Sequence, residues 1–415
     1  MRFRTTAVAA VLCTGIVAAI VAGGAANAAP TVLVVGHARA CAGTYATISS
    51  AVTAAVAGDT IEVCAGTYDE TVNVDTPDLT FVGAQAGNKG TAARAADLAR
   101  ESVVSDVNGD FVLGAGADHT TISGFALEGA GSPTVDHDGI EAFAGSSGLD
   151  VSDDVIVGNG NGINLQNPET DNPATISHNY IWDNNAEGDL GANDSTGTGV
   201  FISNGPADDT SINHNVFGDD SQTAINFAGG ASPSQGLVVA GNTSLDDSTF
   251  VVAVNSVNAT IQDNRITVDG TVPGGNGTGI LDFGGNTGLR ILKNTMSSDS
   301  DISAAIALSA YDGSASVGTT VTANTVSGWD DGVSAAAGYA TALISSNRIS
   351  HNGAFGISID ADTGGNVLSQ NRVSSDSGVA VDCSDLSTGS LTAGTANTWL
   401  RNVGADHDST PRGIC

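Results

Sequence analysis

The sequence predicts an all-β fold, a single-stranded parallel β-helix of about a dozen coils. Three observations carry this. The pattern apolar-x-x-Asn-x-apolar recurs along the chain. Short runs of alternating Val, Ile and Leu are separated by Gly, Asn, Asp and Ser, as expected of strands joined by tight turns. No stretch between 75 and 385 sustains the 3.6-residue period of a helix.

The repeat reads ISHNYI (Asn179), INHNVF (Asn215), IQDNRI (Asn264), ILKNTM (Asn294), VTANTV (Asn324), ISSNRI (Asn347) and LSQNRV (Asn371). VAGNTS (Asn242) keeps only the first apolar residue, and VSDDVI puts Asp154 in the Asn position. Successive spacings run from 22 to 36 residues. A Gly/Ala-apolar-x-apolar strand follows each Asn, and the segment between them absorbs the length variation, most of all in 182–199 and 268–279. Coils of a solenoid behave this way, because stacking completes a core that one repeat cannot bury alone. An Asn at the bend tolerates the left-handed conformation and can turn inward to bond backbone and its stacked neighbours. The Asn column therefore reads as architecture.

Residues 1–28 read as a secretory signal: Arg2 and Arg4, an apolar run, and Ala26-Asn27-Ala28 as the cleavage site. No later stretch approaches the apolar length of a membrane span. Without Arg2 and Arg4 the chain has 11 Lys+Arg against 45 Asp+Glu, a formal charge of −34. Such a chain has no electrostatic footprint for nucleic acid or anionic lipid. A secreted, soluble monomer is expected. Four cysteines remain, and their segregation favours Cys41–Cys64 and Cys383–Cys415 among three connectivities.

Residues 29–74 form the N-terminal cap and first strand, 75–385 the repeats, and 386–415 a C-terminal cap. An open solenoid exposes its core at both ends. Ile48, Ala51, Val52, Ala55 and Val56 make one helical stripe, with Thr47 as N-cap and Gly58 as stop, so a capping α-helix is expected there.

Residues 45–87, with Gly58-Asp59-Thr60-Ile61, Gly66-Thr67-Tyr68 and Glu70, followed by TTISGFAL and the Asn repeats, resemble the right-handed parallel β-helix proteins of the pectin-lyase-like superfamily. The resemblance covers nearly all of the chain after the leader and implies right-handed winding. Ala65 departs from the Pro usual before that Gly. The superfamily includes polysaccharide lyases, glycoside hydrolases, esterases, epimerases and proteins without assigned activity, so the fold does not name the reaction. Gly66-x-Tyr68-x-Glu70 is shared with the pectin esterases, but their downstream Gln, Asp and Arg motifs do not follow in order; the polygalacturonase-like set lacks its His motif, and no Arg sits in the pectate-lyase context.

Three constellations remain. Asp136, His137, Asp138 and Glu141 lie beside a Gly-Ile strand, where paired carboxylates or a His beside acids could perform acid/base catalysis. Asp183, Asp219-Asp220, Asp246-Asp247, Asp269, Asp299 and Asp376 follow ladder Asn residues by four or five positions, and Asp219, Asp220, Asp246 and Asp247 form a candidate Ca²⁺ site. Arg265, Arg348 and Arg372 each follow a ladder Asn, and Arg348 and Arg372, in neighbouring coils, could grip a sugar carboxylate. The expected function is contact with extracellular polysaccharide, by a lyase or hydrolase, or alternatively by a non-catalytic binding or matrix protein. Trp182, Phe201, Trp329 and Tyr339 are the candidate sugar platforms, and the two long insertions the candidate groove wall.

Overall fold

The computed structural model describes residues 29–38, 41–129, 137–142, 145–184, 197–228, 232–270, 272, 277–299, 303–310, 313–374, 381–405 and 408–415. The leader, Asp136 and Asp376 lie outside them. The described chain winds as a right-handed parallel β-helix of three long sheets. The first sheet has 14 strands, from Val32–Val35 to Thr398–Leu400. The second has 13, from Gly66–Tyr68 to Val403–Gly404, and the third 13, from Val72–Val74 to Ser409–Thr410. Each coil contributes one short strand to each sheet, so every rung sits about 4.8 Å from the next.

The register follows side-chain alternation. In the first sheet Ile176, Ile212, Val239, Ile261 and Ile291 stack inward in one file, all fully buried. The third sheet stacks Ile163, Val200, Ile225, Val251 and Ile280 likewise. A one-residue slip would turn a whole file outward, so the apolar alternation specifies the pairing.

The corner between the first and second sheets holds the asparagine ladder. From Asn179 through Asn215, Asn242, Asn264, Asn294, Asn324, Asn347 and Asn371 to Asn402, each backbone N–H donates to the next side-chain Oδ1 at 2.9–3.0 Å. Each Nδ2 donates to that same Oδ1 at 2.9–3.1 Å. It also donates to a strand carbonyl of the preceding coil at 2.9–3.0 Å, such as Asn324 Nδ2 to Ile291 O. One expectation is corrected here. The left-handed residue is not the Asn but the one before it: Asp153, His178, His214, Asp263, Lys293, Ala323, Ser346, Gln370 and Arg401 have φ of 54–62°. That twist rotates the following side chain into the interior. Asp154 heads the file, its Oδ1 accepting from Phe125 N at 2.7 Å, and burial pushes its carboxyl well above the usual range.

α1 (Ile48–Ala54) begins at the N-cap Thr47, whose hydroxyl accepts from Ser50 N, and lies against the first strands of the first and third sheets. Glu70 receives Ile48 N at 2.7 Å and Ser49 N at 3.0 Å, a carboxylate at the positive end of the helix. The helix is shorter than the apolar stripe: Ala55 is its C-cap and Val56 is exposed. Disulfides join Cys41 to Cys64 and Cys383 to Cys415.

Removing one amide should orphan its neighbours. Asn324→Ala takes the acceptor from the Asn294 backbone N–H and from one Nδ2 hydrogen, and one donor from the Ile291 carbonyl, and should cost about 3–5 kcal/mol in denaturant unfolding. Ala323→Gly, which relieves a left-handed alanine at φ 59°, should be neutral or stabilise by up to about 1 kcal/mol. Equal effects of the two changes would contradict the ladder assignment.

Candidate functional site

Because the interior is fully committed to packing, chemistry must come from the outward positions and the corners. Of the candidate catalytic residues, His137, Asp138 and Glu141 are among the described residues and differ in burial. Asp136 lies outside the described residues. His137 is buried, and its carbonyl accepts from Gly160 N. Asp138, only 6% exposed, accepts from Asn161 Nδ2 at 2.9 Å on the next rung. Glu141 does face outward from the third sheet, paired in register with Val112 and Asn164. The alternation slips at Gly139-Ile140: Ile140 packs into the core, and a Cβ on Gly139 would already approach Ile156. Asp138 thus belongs to the wall while its neighbour Glu141 belongs to the surface.

The candidate calcium residues divide in the same way. Asp219 and Asp246 are left-handed, with φ of 53° and 59°, and sit on the outside of the corner between the second and third sheets. Asp220 and Asp247 follow them and turn inward, where they are almost wholly buried. They end a second inner file: Asn159 N donates to Asn184 Oδ1 at 3.2 Å, Asn184 N to Asp220 Oδ1 at 3.0 Å, and Asp220 N to Asp247 Oδ1 at 3.1 Å. Successive residues of the turn point opposite ways, so the four carboxylates divide into an outer pair, Asp219 and Asp246, and an inner pair, Asp220 and Asp247. Among the described residues no group of three or more His, Cys, Asp or Glu side chains converges on a metal position.

Burial raises both inner carboxyls, Asp247 to about 7; the charge of Asp247 adds to the rise of Asp220, and the charges of Asp219 and Asp246 add to that of Asp247. Ser244 Oγ donates to Asp247 Oδ2 at 2.6 Å. A carboxyl with a higher pKa folded than unfolded binds more protons in the native state. Stability should therefore fall as pH rises from about 4 to about 7 and level off above. Asp247→Asn keeps the ladder geometry without the charge. It should shrink this fall in a pH series of melting temperatures; an unchanged profile would contradict the assignment.

Of the candidate platforms, Trp329 and Tyr339 are fully buried. The Tyr339 hydroxyl donates to Asp282 Oδ2 at 2.5 Å in a core network completed by Thr319, Ser316 and Asn286. Phe201 is 8% exposed on the third sheet. Trp182 remains partly open on the second sheet, parallel to Tyr180 with ring centroids 5.2 Å apart and planes 2° apart. Gly218, on the next rung, makes room for the indole, since a Cβ there would collide with the ring. The indole N–H donates to Asp219, and burial together with the charges of Asp219 and Asp183 pushes the Tyr180 hydroxyl up to about 12. One side of the pair is walled by the insertion between Thr80–Val82 and Ser102–Val104. Its Ala95 and Leu98 pack with Val103, Ala126, Val155 and Tyr180, and its Arg94 pairs with buried Glu101 at 2.7 Å.

From Tyr180 and Trp182 the outward positions of the second sheet run past Val216, Gly218, Thr243 and Leu245 to Arg265, Thr267, Thr295, Ser297, Thr325 and Ser327, so the third candidate arginine stands between Thr243 and Thr295. They end at Arg348 and Arg372, which are direct register partners. These two line a groove of about 450 Å³ with Ser346, Gln370, Arg401 and Val403. The sequence reading missed Arg401; the signal was the final rung, Leu400-Arg401-Asn402-Val403, where the second apolar residue directly follows Asn. Of the long insertions, residues 185–196 of 182–199, and 271 and 273–276 of 268–279, lie outside the described residues; the strands flanking both segments belong to the second and third sheets.

Comparison with solved structures fits this architecture. The Dettilon tailspike protein is 15% identical with a TM-score of 0.52, over 76% of this chain and 64% of its own. The GH136 lacto-N-biosidase from Eubacterium ramulus is 11% identical with a TM-score of 0.50, over 90% and 68%. The chain is a right-handed parallel β-helix. This β-helix therefore spans about 64% of the tailspike's length. Residues 231–403 match the family model described as periplasmic copper-binding protein (NosD). A mannuronic acid specific polysaccharide family 6 lyase from human gut microbiota shares 12% identity with the β-helix, with a TM-score of 0.47 over 85% of this chain and 79% of its own. No curated protein matches the β-helix.

Proposed function

We propose that this protein works outside the cytoplasm as a polysaccharide-binding β-helix, with the glycan lying along the outer face of the second sheet. The observation that carries the reading is the parallel Tyr180–Trp182 pair, rimmed by Asp183 and Asp219 at the head of the Thr/Ser strip. An aromatic plane accepts the C–H face of a sugar, while carboxylates and hydroxyls take its hydroxyl groups. Two disulfides support an oxidising compartment. No helix among the described residues is long and apolar enough to cross a membrane. Binding without cleavage is favoured over hydrolysis or elimination because Asp138 is locked in the wall while Glu141 faces out.

The test is calorimetric titration of the full chain against a panel of neutral and acidic polysaccharides, with product analysis of the same mixtures. At least one glycan should bind without being cleaved. Trp182→Ala should weaken it about tenfold, roughly 1.4 kcal/mol. Gly218→Ala, which displaces the indole without deleting it, should weaken binding in the same direction. A panel with no binder, or both variants binding as the parent does, would reject the reading.

A further inference from the structure

We infer that the groove of Arg348, Arg372 and Arg401 binds a single carboxylate carried by an otherwise uncharged sugar chain, and that the rest of the protein screens out polyanions. The residues are other than Tyr180 and Trp182, six rungs away along the same sheet, so this site stands or falls independently of the platform.

Three features point to an anion. The chain has 13 Lys and Arg against 45 Asp and Glu, yet three arginines meet at one groove. Among the described residues none of the three forms an ion pair; the salt bridges there involve Arg94, Arg100 and His119. Arg348 and Arg372 are held side by side by strand register, one rung or about 5 Å apart along the sheet, so their like charges repel. An anion between them removes that repulsion. Guanidinium forks match the plane of a carboxylate, and Ser346 and Gln370 add neutral donors at the rim. Arg401 enters from the left-handed corner, at φ 55°, and so approaches from a different direction than the two strand arginines.

The charge of the body sets the selectivity. A long polyanion that placed one acid in the groove would lay its others over a surface with a large excess of carboxylates. The outward aspartates Asp183, Asp219 and Asp246 line the corner beside the same sheet. Repulsion over about a Debye length, roughly 10 Å at 0.1 M salt, would cancel the local attraction. A neutral chain with one acid meets the arginines without that repulsion.

The experiment titrates the full chain, at low salt, with a neutral oligosaccharide ending in one glucuronic acid. The same oligosaccharide without the acid, its sulfate-ended counterpart and a long polyglucuronate are the comparisons. The glucuronate-ended form should bind at least tenfold more tightly than the neutral and sulfate-ended forms, and more tightly than the polyanion per chain. Arg372→Ala and Arg401→Ala should each lose about tenfold, and Arg372→Lys should fall between parent and alanine because it keeps charge without the fork. These positions lie at the surface, and unchanged circular dichroism of the variants would show that any loss is local. Equal binding of acidic and neutral forms, alanine variants that bind like the parent, a preference for sulfate, or tighter binding of the polyanion would each overturn the inference.

Discussion

The structure depends on one interaction, the inward carboxamide that accepts from the rung before it and donates to the rung after it. Each ladder Asn uses its oxygen twice and its NH₂ twice, so the buried polar atoms of the corner are satisfied by copies of themselves. That closure makes the ladder tolerable in an apolar interior, where an unmatched group costs about 1–3 kcal/mol. It also explains why the adjacent residue varies so widely. Asp, His, Lys, Ala, Ser, Gln and Arg all occupy the left-handed position, because their side chains point to solvent and only the backbone twist is required.

The other two corners solve the same problem less regularly. Between the second and third sheets, amides give way to Asp220 and Asp247, which accept as Asn does but cannot donate unless protonated. Between the third and first, Asn286, Asn366 and Asn397 do the work, with Ser316 and Asp385 closing the network.

Much of this was legible because the ladder has a one-dimensional signature. Apolar-x-x-Asn-x-apolar records a strand, a left-handed residue and an inward amide in fixed order. The pattern failed where a rung departs from it: Asn402 keeps Trp399 three positions before it, but Val403 follows directly. With that rung went Arg401, and hence the third member of the arginine groove. Asp219 and Asp220 could not be told apart from composition, since which of two neighbours turns inward depends on a backbone angle. Trp329, among polar turn residues, and Tyr339, after Gly338 and outside the repeat pattern, looked like surface aromatics; in the fold they fill the interior. Pairing of Arg348 with Arg372 was readable, as both occupy the position after a ladder Asn.

The most direct test is hydrogen exchange of side-chain amides, followed by NMR on the intact chain. Ladder carboxamides held between coils should exchange far more slowly than those of exposed residues such as Asn88 and Asn108, with Asn264, Asn294, Asn324, Asn347 and Asn371 slowest together. If those five exchange as fast as the exposed amides, the interior file does not exist in solution and the register built on it is wrong.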